Sequence, residues 1–182
     1  MGSVGIYLLL GFLANFVADL VLRWRYGPLS KLDSRTKRFK RIGRWIAVVL
    51  VMLGLALTNV SLRYAIPIAL LSVTAATDFE LRRLPWDWFM YGSVVVGLLV
   101  AYLFGGTEDL SQAIIAQAVL YAFITFAVVV IGQTRGGDIK VAMQYGAACA
   151  NLGMALNGML LASVIVMVPI AIVSLIATRR FA

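Results

Sequence analysis

The chain has 182 residues, of which 62% are hydrophobic, with a mean hydropathy of +0.95 and a net charge of +8. This is far more apolar than a soluble domain, and long apolar runs recur throughout, so the composition predicts a multi-spanning membrane protein. It contains no histidine and a single cysteine, which excludes Ser-His and Cys-His catalysis, histidine metal sites and an intrachain disulfide; Cys149 reads as a small packing residue.

The expected fold is all-α: a single domain over 1–182, a polytopic bundle of six to seven transmembrane helices. The first span falls at about 4–22 and reads as retained rather than as a removed signal peptide. A basic juxtamembrane loop follows at 23–44, holding nine of the sixteen bases. Its position beside an apolar segment suits anionic lipid head groups rather than nucleic acid, for which no reading motif is present. Further spans are expected at about 45–61, 64–78, 86–104 and 112–132, then a short helix at about 139–152 and a long one at about 154–177. The short helix would rise only about 21 Å, less than a hydrocarbon core of about 30 Å.

With 23–44 in the cytoplasm and the N-terminus outside, fifteen of the sixteen bases fall on the cytoplasmic side, as the positive-inside rule requires. The 105–111 loop, "GGTEDLS", is then outside. Trp24, Trp45, Trp86 and Trp88 flank cytoplasmic ends and read as interface anchors.

This layout places Asp78, in "LSVTAATDFELRRLP", and Asp138, in "GQTRGGDIKVAMQYG", at one membrane face. Acids at membrane depth are costly and mark functional sites. Two neighbouring carboxyls cannot both ionise cheaply, so one activates water while the other, protonated, polarises a scissile carbonyl. Such a pair needs no metal or cofactor, and neither member is fixed as the acid. Plainer readings stand beside this one. Asp138 also reads as the N-cap of its helix after Gly136 and Gly137, Asp78 as an ion-pair partner of Arg82, and Asp19 as a partner of Arg23. Asp87 reads as an interfacial acid that helps cap the fourth span beside Pro85. Lys140 suits a lipid phosphate or, pointing inward, a neighbouring carboxyl.

"DFELRRLP" and "GGDIKVAMQYGA" together resemble the two motifs of the prepilin peptidases, integral-membrane aspartyl endopeptidases of the Gly-x-Gly-Asp type. The resemblance is clearest over about 65–155. It implies that Asp78 and Asp138 are the catalytic pair, with Gly136 and Gly137 in the active-site loop. Pro85 and Lys140 match recurrent positions. It implies cleavage of the basic cytoplasmic leader from a prepilin or pseudopilin at the prokaryotic inner membrane. Glu80 and the aspartates are then the candidates for meeting leader cations. Nothing in the sequence fixes an oligomeric state. Arg135 departs from the pattern, standing where the family has the first glycine. The paired Cys-x-x-Cys motifs of members carrying a methyltransferase domain are absent, so the chain resembles the short, peptidase-only form. Alternatives are an inactive homologue, a proton- or cation-coupled transporter using the aspartates, and a metal-dependent transferase, for which the acids are few.

Overall fold

The computed structural model describes residues 2–26, 35–81, 85–131, 136–149, 151–158 and 161. All regular structure among them is helical: α1 (Gly2–Tyr26), α2 (Arg35–Leu57), α3 (Leu62–Leu81), α4 (Asp87–Ile131) and α5 (Gly136–Cys149), with a further helical stretch at 152–158. The expected last span, 154–177, lies mostly outside the described residues. Two stretches, Val4–Trp24 in α1 and Asp87–Phe126 in α4, are long and apolar enough to cross a membrane. Large apolar side chains, among them Phe16, Leu50, Leu103 and Phe123, stand more than half exposed on the bundle's outside. An exposed apolar belt of this kind suits lipid surroundings better than water.

Helix α1 packs against α2 and α3 through small and medium side chains: Ala14, Ala18 and Val21 meet Met52, Ala56, Ala69, Val73 and Ala76. At one end of this trio the Tyr7 hydroxyl donates to the Val60 carbonyl, tying the start of α1 to the turn between α2 and α3. Asn59 in that turn takes a positive φ of 52°, a conformation that asparagine tolerates better than most residues. Pro67 lies inside α3 without ending it.

Helix α4 is folded in two. Gly106 has φ 71° and ψ −156°, a backbone region open essentially to glycine alone. Ala101 and Ala113 meet in one buried cluster beside Tyr64 and Leu98. A straight helix would hold those two alanines about 18 Å apart, so the limbs turn back on each other. By length the limbs run to about 28 Å and about 37 Å. The expected 105–111 loop is thereby corrected: the reversal is confined to Gly106, and Thr107, Glu108 and Asp109 already belong to the second limb. Acidic residues are favourable in that first turn, where the helix dipole is positive.

Helix α5 sits in the crook of this hairpin. A Cβ added at Gly97 would lie 3.2 Å from the Ala147 Cβ, and one added at Gly146 only 2.6 Å from the Gln117 Cα. Neighbouring residues of α5 therefore touch opposite limbs of α4, and Gly146 permits the backbones to close. Small residues at such contacts are the usual way for apolar helices to pack without a hydrophobic driving force between them. Ala116, Leu120 and Ala155 form a further buried cluster here, with half-buried Cys149 and Tyr145 against it. Helix α3 touches both α4 and α5 and joins the two halves of the bundle.

The second correction concerns α2. Residues 35–44, expected in a loop, are the first turns of a single helix that runs on into the apolar stretch from Trp45. Lysine and arginine are good helix formers, so a charged segment need not be a loop.

Candidate active site

Asp78 lies in the last turn of α3 and is exposed. The residues just before it are packed: Ala76 and Thr77 are buried, as is Thr74. The Thr77 hydroxyl donates to the Thr74 carbonyl at 2.8 Å, and the Thr74 hydroxyl contacts the Met90 sulfur at 3.5 Å. These contacts fix the end of α3 against the beginning of α4. Asp78 therefore stands at the open end of the bundle, on the unpacked side of its helix, rather than inside it.

Pro85 is fully buried, and the Trp86 carbonyl accepts from the Phe89 and Met90 amides, which starts α4. Asp87, expected to help cap that helix, lies in its first turn and pairs with Lys140 of α5 at 2.5 Å. The Lys140 ammonium also lies 5.9 Å from the centre of the Tyr91 ring. Lys140 is thus turned toward α4. There it meets the exposed carboxylate of Asp87. Trp86 and Trp88 stack at 5.6 Å beside this pair.

Gly136, Gly137 and Asp138 are the first three residues of α5, so Asp138 lies within the first turn rather than before it. Asp138 is two residues from Lys140, about 3 Å along the helix axis. The ion pair brings that turn beside the start of α4, and α4 follows the end of α3 directly. The turns that carry the two aspartates therefore occupy one end of the bundle, on helices that pack against each other. Arg135 lies outside the described residues, as do the side chains of Glu80 and Asp138, and Arg82, the expected partner of Asp78.

Asp19 shares this end but has other work. Its carboxylate accepts from both Arg41 and Arg44 of α2. The expected local pair with Arg23 is replaced by this cross-helix cluster, because α2 begins ten residues earlier than the hydropathy suggests. Arg44 is almost fully buried and Asp19 is 8% exposed, so the cluster is a fixed clamp between α1 and α2. Asn15, one turn deeper, donates to the Gly11 and Trp45 carbonyls at 3.2 and 3.4 Å.

One polar residue is not among those singled out from the sequence. Gln144 of α5 is 3% exposed, and among the described residues neither its amide nitrogen nor its amide oxygen has a hydrogen-bond partner. It lies four residues beyond Lys140, and its position as a lone amide within "KVAMQYGAA" was the available signal. Among the described residues no three of His, Cys, Asp and Glu gather as a metal-binding group.

No protein-family model matches the chain, and neither a curated protein nor a solved structure is similar to it.

Proposed function

We propose that the chain is an intramembrane aspartyl endopeptidase that removes the basic cytoplasmic leader from prepilin-like substrates. The observation that supports it is the Lys140–Asp87 pair, which sets the helix of the "GGDIK" motif beside the turn that comes after "DFELRRLP". Asp78 and Asp138 then act as a pair that shares one proton. One carboxylate takes a proton from water while the other, protonated, polarises the scissile carbonyl, and the roles exchange as the intermediate collapses. The exposure of Asp78 suits a substrate whose cleavage site meets the enzyme at the membrane surface.

In this reading the protein resides in a prokaryotic cytoplasmic membrane, with its N-terminus outside and the aspartates at the cytoplasmic face. The exposed apolar belt and the concentration of basic residues at that end support the placement. Glu80 meets cations of the leader, so Glu80→Gln weakens processing of basic leaders; unchanged kinetics would remove that role.

The test is co-expression of a prepilin from the same genome with wild type, Asp78→Asn or Asp138→Asn. Leader loss is expected only with wild type. Processing that survives either substitution sinks the paired-aspartate assignment, and loss of processing on chelation points to a metal enzyme instead.

A further inference from the structure

Between α1 and α2, at the end that carries the aspartates, a cavity of about 380 Å³ is lined by Asp19, Arg41, Ile42, Trp45 and Ile46. That volume lies in the range of about 300–1,000 Å³ typical of small-molecule sites. Its walls have two characters. Ile42 and Ile46 are more than half exposed and apolar, and with Trp45 they line a face suited to a hydrocarbon chain. The charged part is Asp19 and Arg41; Arg44, which does not line the cavity, also binds Asp19, so one carboxylate meets two guanidiniums, an excess of one positive charge. Arg44 is buried, whereas the Arg41 side chain is 33% exposed. A guanidinium carries five N–H donors in a planar fork, and Asp19 engages Arg41 through Nη2 alone.

We propose that this cavity binds one anionic phospholipid, with the phosphate on Arg41 and an acyl chain along Ile42, Trp45 and Ile46. Charge complementarity selects an anion, and the apolar walls select a lipid over a soluble phosphate. The setting favours the same occupant. The first ten residues of α2 hold six bases, Arg35, Lys37, Arg38, Lys40, Arg41 and Arg44, so the cavity opens beneath a basic helical extension of the kind that attracts anionic leaflets. Asp19 gives the site its order: it holds Arg41 across the helix gap, so that the guanidinium is placed before the lipid arrives. A lipid seated there would join α1 to α2 beside the aspartate-bearing end. The inference rests on the membrane placement proposed above, and not on the protease reading.

The experiment uses the full chain in neutral detergent, stripped of native lipid and followed by native mass spectrometry. It is titrated with phosphatidylglycerol, with phosphatidylcholine of the same acyl chains, and with soluble glycerol phosphate. Phosphatidylglycerol should be retained at least about fivefold better than phosphatidylcholine, the factor that roughly one basic residue contributes at an anionic surface. Arg41→Gln, which leaves the Asp19–Arg44 pair in place, should abolish that preference, and Arg41→Lys should keep part of it. Ile46→Trp fills the cavity without touching a charge and should lower phosphatidylglycerol retention as well. An unchanged preference in both Arg41→Gln and Ile46→Trp overturns the site. Competition by glycerol phosphate as strong as by the lipid overturns the lipid in favour of a free-anion site. Failure of the membrane placement would be seen separately, as release of the protein from membranes by alkaline carbonate without detergent.

Discussion

At the end of the bundle that holds the 58–61 turn and Gly106, the charged residues among those described are Arg63, Glu108 and Asp109, and Arg63 pairs with Asp109. Arg63 also lies 5.0 Å from the centre of the Tyr64 ring. The reversals there are tight: one turn of a few residues and one glycine. The opposite end gathers Asp19, the basic turns of α2, Asp78, the Asp87–Lys140 pair and the start of α5. Both ends use cross-helix ion pairs, and both present an exposed acid on a terminal helical turn, Glu108 at one end and Asp78 at the other, but only Asp78 stands beside a second motif. A closed end can be built from sterics with little charge. An end that receives a charged substrate needs acids that are not all held by arginine; among the described residues two arginines hold Asp19 and none is seen on Asp78.

Substitution of acids at the two ends should have unequal effects. In the purified protein Asp78→Asn should reduce leader cleavage by at least about a thousandfold, as loss of a member of a catalytic unit does, while Asp109→Asn should stay within about threefold of wild type. Equal losses at the two ends would mean that the variants act through folding. Sterics at the closed end come next. Gly106→Ala must adopt a backbone region that belongs to glycine, at a cost of about 1–3 kcal/mol. Gly146→Ala places its Cβ 2.6 Å from the Gln117 Cα, and overpacking of that kind costs about 1–3 kcal/mol. Both should lower the thermal midpoint in detergent, and a midpoint equal to wild type would contradict the folded hairpin of α4. The smallest effect is expected at the open end: Asp87 is 70% exposed, so Lys140→Gln should cost less than about 1 kcal/mol of stability. Its consequence should appear instead in cleavage rate, because the pair positions the first turn of α5.

Much of this architecture was legible in the sequence. The apolar runs gave α1 and α3 nearly to their ends, and the glycines at 105–106 marked the reversal of α4. The extent of α2 was hidden because hydropathy detects only the part of a helix that is apolar. The segment from Arg35 to Arg44 is helical by propensity and by continuity with the apolar turns from Trp45 onward. That same extension explains the error at Asp19: a spacing rule within one helix offers Arg23, whereas Arg41 and Arg44 reach Asp19 only once α2 is seen to pass alongside. "GGTEDLS" read as a loop from its glycines and acids, yet acids also belong in the first turn of a helix. At the site, the two motifs could be paired by sequence and topology. The partner of Lys140 could not, since no local pattern links it to Asp87, fifty-three residues earlier. Gln144 could be seen as polar, but its lack of a partner is a property of packing alone.

The claim that both aspartate-bearing turns share one end can be measured as a distance. In a Cys149→Ala background, cysteines are introduced in pairs at Asp78 and Asp138, at Asp78 and Asp109, and, as a same-end reference, at Asp87 and Lys140. A short bifunctional thiol reagent is then applied to the protein in membranes. Cross-links are expected for the 78–138 and 87–140 pairs and none for 78–109. Cross-linking of the reference pair without the 78–138 pair, or of 78 with 109, would contradict it.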